Sequence, residues 1–285
     1  MSLLQIGTTI SLKVVNTNEE YILSDGKEKV SLPKEEVTED LETGQWTEVF
    51  LFLEKDGSLS ATKHIPDASL DTYGWSEVVE VINDLGVFVD IGIRKEILVS
   101  KDDLPLLQTV WPKEGDSLFV SLEVDKKGKL LAKPITEGDV QQDLVRAPDS
   151  LIKNQITGRI YRATKSGSFM LTEEGYRGFI HPNERKQEPR VGETVNGRVI
   201  DVKEDGTINV SLLPLKQEGM HEDAEMILAY LQQHGGEMDF TDKSDPEAIR
   251  STFQISKAAF KRALGKLMKE KKISQTNDKT ILTEE

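Results

Sequence analysis

The sequence predicts a mainly β fold with an α+β C-terminal domain: three tandem five-stranded β-barrels, then a module of three helices and a β-ribbon. Two observations carry this expectation. Hairpin glycines recur at near-constant spacing through the first 215 residues, and beyond that point the apolar residues change from strand to helical periodicity. Gly44 leads thirteen residues later to Gly57, within Asp56-Gly-Ser-Leu-Ser-Ala. Gly115 leads thirteen later to Gly128, within Lys127-Gly-Lys-Leu-Leu-Ala, and Gly192 fourteen later to Gly206, within Asp205-Gly-Thr-Ile-Asn-Val. The closing glycines lie 71 and then 78 residues apart, about one small barrel each. A tight hairpin needs positive φ, which glycine adopts without strain. The repeat sets the expected domains at 1–65, 66–138 and 150–215, with a linker at 139–149 and a final domain at 216–285.

The copies differ in what they carry outward. The first keeps Tyr21, in Glu20-Tyr-Ile-Leu, but places Leu32-Pro33 where the third copy has a histidine. The second keeps Gly86 and Phe88, in Leu85-Gly-Val-Phe-Val-Asp, and puts Ser100 at the histidine position. The third is the fullest. Ile156 to Leu171 reads as two strands joined across a turn, Tyr176-Arg-Gly-Phe-Ile-His181 as a third, and Val191 onward as a fourth that Asp205-Gly206 turns into a fifth. Five short strands in this length suit an OB-type barrel, whose outer face binds single-stranded nucleic acid. Strand alternation sends Ile160, Met170, Ile180, Val195 and Val199 inward. It leaves Arg159, Tyr161, Phe169, Phe179, His181 and Arg198 outside as the candidate RNA-binding residues. Rings stack on bases whatever their sequence, and guanidiniums hold phosphates.

After Leu215 the pattern is helical. Ala224, Ile227, Leu228 and Leu231 lie along Glu222–His234, ended by Gly235-Gly236, and Met238 to Phe240 is a candidate short strand. Asp245-Pro246 opens a second helix to about Thr252. Ser256 caps a third, Lys257–Lys271, with Ala259, Phe260, Ala263, Leu264, Leu267 and Met268 as its apolar stripe. Ile273 to Leu282 closes as a hairpin turning at Asn277-Asp278. Three helices and a ribbon resemble a winged helix-turn-helix domain, in which the third helix enters a nucleic-acid groove. Here Lys257, Lys261, Arg262 and Lys266 are its candidate contacts. Cations near the C-terminal end of this helix suit its dipole, but Lys257, Lys261 and Arg262 lie in its first half.

Gly158, Gly167-x-Phe169, Gly178-Phe-Ile-His181 and Val191-Gly-x-x-Val195 resemble the S1 RNA-binding motif of ribosomal proteins and ribonucleases. That resemblance places Phe169, Phe179 and His181 on the RNA platform. An aromatic often precedes the glycine equivalent to Gly167, and Ser166 stands there instead. Three S1-like barrels followed by a winged helix resemble the conserved virulence factor B (CvfB) family of bacterial RNA-binding proteins. The resemblance implies single-stranded RNA binding centred on the third barrel and the winged helix.

A net charge of −14 over 285 residues looks wrong for such a partner until it is divided. The first two barrels carry −6 each, residues 146–215 carry +2, and residues 216–285 carry −2. Phosphate attraction is therefore expected in the back half. The acidic front barrels are expected to set spacing, pack the assembly or contact other proteins. The absence of cysteine excludes disulfides, thiolate catalysis and cysteine-ligated zinc, and fits a reducing cytosol. The N-terminus has no basic segment leading into an apolar run, and no spanning segment follows, so a cytoplasmic location is expected. His64, His181, His221 and His234 form no metal-binding pair, and no phosphate loop or serine elbow occurs. The expectation is a monomeric non-enzyme without cofactor. It would bind single-stranded RNA, with the ribosome or RNA-processing proteins as further partners. The alternatives are a duplex-DNA regulator using the winged helix and a protein-interaction scaffold.

Overall fold

The computed structural model describes residues 4–136, 138, 145–214 and 216–283. Most of the linker expected at 139–149, residues 139–144, lies outside the described residues. The chain divides into two compact units, residues 1–212 and 213–285.

The first unit holds three closed barrels. The first comprises β1 (Thr9–Asn16), β2 (Tyr21–Ser24), β3 (Lys29–Leu32), β4 (Trp46–Leu53) and β5 (Leu59–Thr62). The second comprises β6 (Gly74–Ile82), β7 (Gly86–Asp90), β8 (Ile97–Ser100), β9 (Ser117–Val124) and β10 (Leu130–Pro134). The third comprises β11 (Gln155–Thr164), β12 (Gly167–Leu171), β13 (Arg177–Ile180), β14 (Thr194–Val202) and β15 (Ile208–Ser211). Each ring runs first, second, third, fifth, fourth and back to the first. The third and fifth strands pair in parallel and the other neighbours antiparallel. In the third barrel Ile160, Met170, Ile180, Val199 and Val210 are wholly buried, as the alternation of each strand requires.

The barrels share apolar cores. β4 is buried on both faces: Val49 and Leu51 fill the first barrel, while Phe50 and Phe52 enter the core of the second. Val191 from the third barrel joins that same core. Arg94 reaches back to the first barrel, pairing with Glu36 and, at 2.8 Å, with Glu54. Between the second and third barrels Arg190 grips Asp116 through two bonds of 3.0 Å. Backbone bonds from Val191 to Val110 and from Ser117 to Gly192 lie beside that pair.

The six repeat glycines all have positive φ, between 78° and 98°. At each closing hairpin an aspartate accepts bonds from its own turn. Asp205 takes the Thr207 amide and hydroxyl, Asp56 takes those of Ser58, and Asp125 takes the Lys127 and Lys129 amides. These bonds hold the carboxyls below the ordinary value of 3.8, chiefly through the hydroxyls of Thr207 and Ser58 and the Lys129 amide. A depressed carboxyl stabilises the fold above its unfolded value and loses that contribution as pH falls through its lower folded value. We therefore expect stability to fall as pH drops below about 3.8, with a shallower fall in an Asp56→Asn, Asp125→Asn, Asp205→Asn variant. Urea midpoints between pH 5 and pH 2.5 would check this, and identical slopes would exclude the turns as the source.

The second unit contains α1 (Lys216–Gln233), β16 (Glu237–Met238), α2 (Pro246–Phe253), α3 (Lys257–Lys269), β17 (Ile273–Gln275) and β18 (Thr280–Leu282). The strands pair in the order β16-β18-β17. α1 begins six residues before the expected Glu222, because its first turns have no apolar stripe to reveal them. Asp245 accepts the amides of Glu247 and Ala248 to cap α2, and Ser256 accepts that of Ala259 to cap α3. α3 stops short of the expected Lys271, which adopts φ 58° while the Lys272 amide returns to the Leu267 carbonyl. Ile227, Leu231, Ile249, Phe253, Phe260 and Leu264 form the core. No helix among the described residues is long and apolar enough to cross a membrane.

Candidate nucleic-acid interface

β12 and β13 pair with Phe169 opposite Phe179, so both side chains leave the third barrel on the same face. Their ring centroids are 5.1 Å apart, and His181 continues the row 6.3 Å beyond Phe179. Both phenylalanines are half-buried and His181 is exposed. His181 Nδ1 accepts the Asn183 amide at 3.1 Å, capping the turn Pro182–Glu184. In the neutral ring the proton then sits on Nε2. Ser100 caps the matching turn of the second barrel by accepting the Asp102 amide, and Pro33 precedes that of the first. The third barrel thus places an imidazole on a position that the fold uses for capping.

Gly167 gives Phe179 its seat. Its φ is +150°, and a Cβ there would lie 2.6 Å from both the Ile180 carbonyl oxygen and the Phe179 ring. The ring lies on bare backbone.

Other residues expected on this face lie elsewhere. Tyr161 is only 3% exposed. A β-bulge between Ile160 and Arg162 makes it the extra residue of β11, so the alternation that sends it outward breaks immediately after it. Tyr161 leaves the barrel but is buried against Ile135 of the second barrel's exit segment. Its ring centroid is 6.2 Å from Phe169, and its hydroxyl accepts from Arg177 Nε at 3.2 Å, so it supports the platform from below. Arg159 lies over Trp75 of the second barrel, 5.2 Å from the ring centroid. Arg198 is opposite Gln155 and Ser211, on a strand two removed from that of Phe179.

The cations that do flank the row are Arg177, 4.9 Å from the Phe169 ring, and Lys203, 5.8 Å from that of Phe179. Arg177 was legible: it shares a strand face with Phe179, two residues away. Lys203 follows a second bulge, between Val199 and Asp201, which hides its direction from the alternation. In the second barrel Phe88 is half-buried opposite Leu98 rather than opposite a second ring. Tyr21 is 2% exposed with its hydroxyl bonded to Asp40 at 2.9 Å, so it is a core residue.

On α3 the four expected cations separate. Lys261 and Arg262 are exposed, Lys261 3.3 Å from Asp242. Lys257 Nζ donates to the Lys243 carbonyl at 3.2 Å. Lys266 turns towards α1, its Nζ 2.8 Å from His221 Nδ1, and its side chain is 20% exposed. The outward face instead carries Lys261, Arg262 and Lys269, with Ala258 and Gly265 between them. Among the described residues no three His, Cys, Asp or Glu side chains could hold a metal ion.

This arrangement of modules matches known families along the chain. Residues 6–64 match the S1 domain, 73–133 the CvfB first S1-like domain, 140–214 the second domain of virulence regulatory factor CvfB, and 225–282 the CvfB-like winged helix domain. Tandem S1-like barrels closed by a winged helix define the class. The chain is 38% identical to conserved virulence factor B of Staphylococcus epidermidis, over 98% of this chain and 95% of that one. It is 48% identical to the uncharacterized protein YitL of Bacillus subtilis, over 90% of this chain and 86% of that one. A crystal structure from Streptococcus pneumoniae, described as a multidomain protein with nucleic acid binding domains, is also similar. It has a TM-score of 0.67 and 38% identity, covering 98% of both chains. The chain belongs to the conserved virulence factor B (CvfB) family.

Proposed function

We propose that this chain is a single-stranded RNA-binding protein of the cytoplasm that regulates gene expression after transcription, and that it is not an enzyme. The row Phe169–Phe179–His181, with Arg177 and Lys203 at its sides, carries the reading. Three rings within stacking reach of successive bases, bordered by cations for phosphates, suit an unpaired strand better than a duplex whose bases are already stacked. Such a protein acts by occupancy, covering or exposing segments of a transcript, and needs no catalytic group. The outward face of α3 supplies a second contact through Lys261 and Arg262. The small residues Ala258 and Gly265 let a phosphate backbone approach that face closely, which favours duplex DNA as the second reading.

Fluorescence anisotropy of the full chain with single-stranded RNA, single-stranded DNA and duplex DNA separates these readings. RNA is expected to bind most tightly, with affinity falling as salt rises. Each phosphate contact on a single strand contributes about 0.7 to the logarithmic salt slope. A Lys261→Ala, Arg262→Ala variant is therefore expected to flatten that slope by about 1.4. Preference for duplex DNA would replace the RNA reading, and no binding to any nucleic acid would end both.

A further inference from the structure

The second barrel carries aromatic residues that its fold does not require. Trp75 on β6 pairs with Phe119 on β9, and their rings stack at 4.8 Å and 28°. At the same register, three residues before the bulge, the third barrel has Thr157 opposite Asn196. The first barrel has Ser11 opposite Glu48. Only the second barrel places rings there.

Those rings are half-buried rather than sealed. Trp75 of the second barrel and Arg159 line a groove of about 400 Å³ whose other walls come from the third barrel and include the exposed Gln155, Thr157, Glu173 and Glu174. The guanidinium of Arg159 lies over the indole that stacks on Phe119, so both pack against Trp75 beside the groove. An arginine plane held on an aromatic ring is itself a stacking surface for a base, and its charge attracts the adjoining phosphate.

The groove is continuous with the aromatic row. Arg159 is opposite Leu171, and Leu171 lies two residues beyond Phe169 on the same face of β12. Trp75, Phe119, Phe169 and Leu171 all pack around the buried pair Tyr161 and Ile135. A strand leaving Phe169 in this direction next meets Arg159 and Trp75.

We propose that the Trp75–Arg159 stack is a further base-binding subsite, and that the second barrel extends the path of a single strand held by the third. This rests on the RNA-binding reading above and adds to it the course of the strand. The cation at the subsite, Arg159, comes from the third barrel, as do the groove carboxylates Glu173 and Glu174, so the contact rests on base stacking rather than on net charge.

The test compares oligouridylates of about four and about twelve nucleotides, the lower and middle range of site sizes for such barrels. Two variants of the full chain are used, Trp75→Leu and Thr157→Glu, the second at an exposed groove residue whose hydroxyl donates to Asn196 Oδ1. Phe179→Ala is the control. Both groove variants are expected to weaken the longer oligomer about 10-fold, the scale of one base–aromatic stack, and to leave the shorter one unchanged. Wild-type affinity of Thr157→Glu and Trp75→Leu for the longer oligomer, with Phe179→Ala still impaired, would overturn the subsite alone. Failure of the wild-type chain to bind either oligomer would overturn the RNA reading together with it.

Discussion

Replacing Phe169, Phe179 and His181 with alanine is expected to reduce affinity for single-stranded RNA by about 1–3 kcal/mol for each base that no longer stacks. The reduction should appear at high salt as well as low, because stacking does not depend on counterion release. The barrel should remain folded, since its core is filled by Ile160, Met170, Ile180, Val199 and Val210 rather than by the outer rings. Anisotropy at two salt concentrations, with circular dichroism to establish folding, measures both parts. Unchanged affinity in the folded variant would mean that the rings serve only to pack the surface between the barrels.

Gly167→Ala is expected to act on stability and binding together. The backbone there has φ +150°, a region closed to L side chains, which by itself costs about 1–3 kcal/mol. The new methyl would also meet the Ile180 carbonyl and the Phe179 ring at 2.6 Å. Neither the carbonyl nor a ring held 5.1 Å from Phe169 can give way without moving the platform. The melting temperature should fall by about 2–4 °C for each kcal/mol. RNA affinity should fall below that of the wild type even at temperatures where the variant is fully folded. A variant with a lowered melting temperature but unaltered affinity would show that the seat of Phe179 is irrelevant to binding.

Much of the architecture was legible because it depends on local rules. Hairpin glycines mark where φ must be positive, and period-two alternation identifies Ile160, Met170 and Ile180 as inward residues. Ser256 and Asp245 announce their helices by capping chemistry. What escaped had non-local causes. The bulges in β11 and β14 each add one residue, which decouples the residues that follow, Arg162 and Lys203 among them, from a strict inside–outside count. Tyr161 points away from its own barrel, as alternation expects, but finds the second barrel there instead of water. Arg159 likewise reads from its strand as a phosphate contact of one barrel, whereas its partner is a tryptophan 84 positions earlier in the chain. Lys266 belongs to the face of α3 turned towards α1, whose first turns give no periodic signal. One clue to the joined barrels was present. Val49-Phe-Leu-Phe-Leu53 is apolar without alternation, as a strand buried on both faces must be.

The double-faced strand β4 has a consequence for how this architecture can change over time. In a beads-on-a-string array a module can be lost, duplicated or exchanged without harm to its neighbours, because each closes its own core. Here Phe50 and Phe52 of the first barrel complete the interior of the second, and Val191 of the third reaches into it as well. Deleting the first barrel would open the second to water. Loss or exchange of one barrel therefore requires its neighbour's core to repack, whereas outward positions such as those of Ser100 and His181 can change without it.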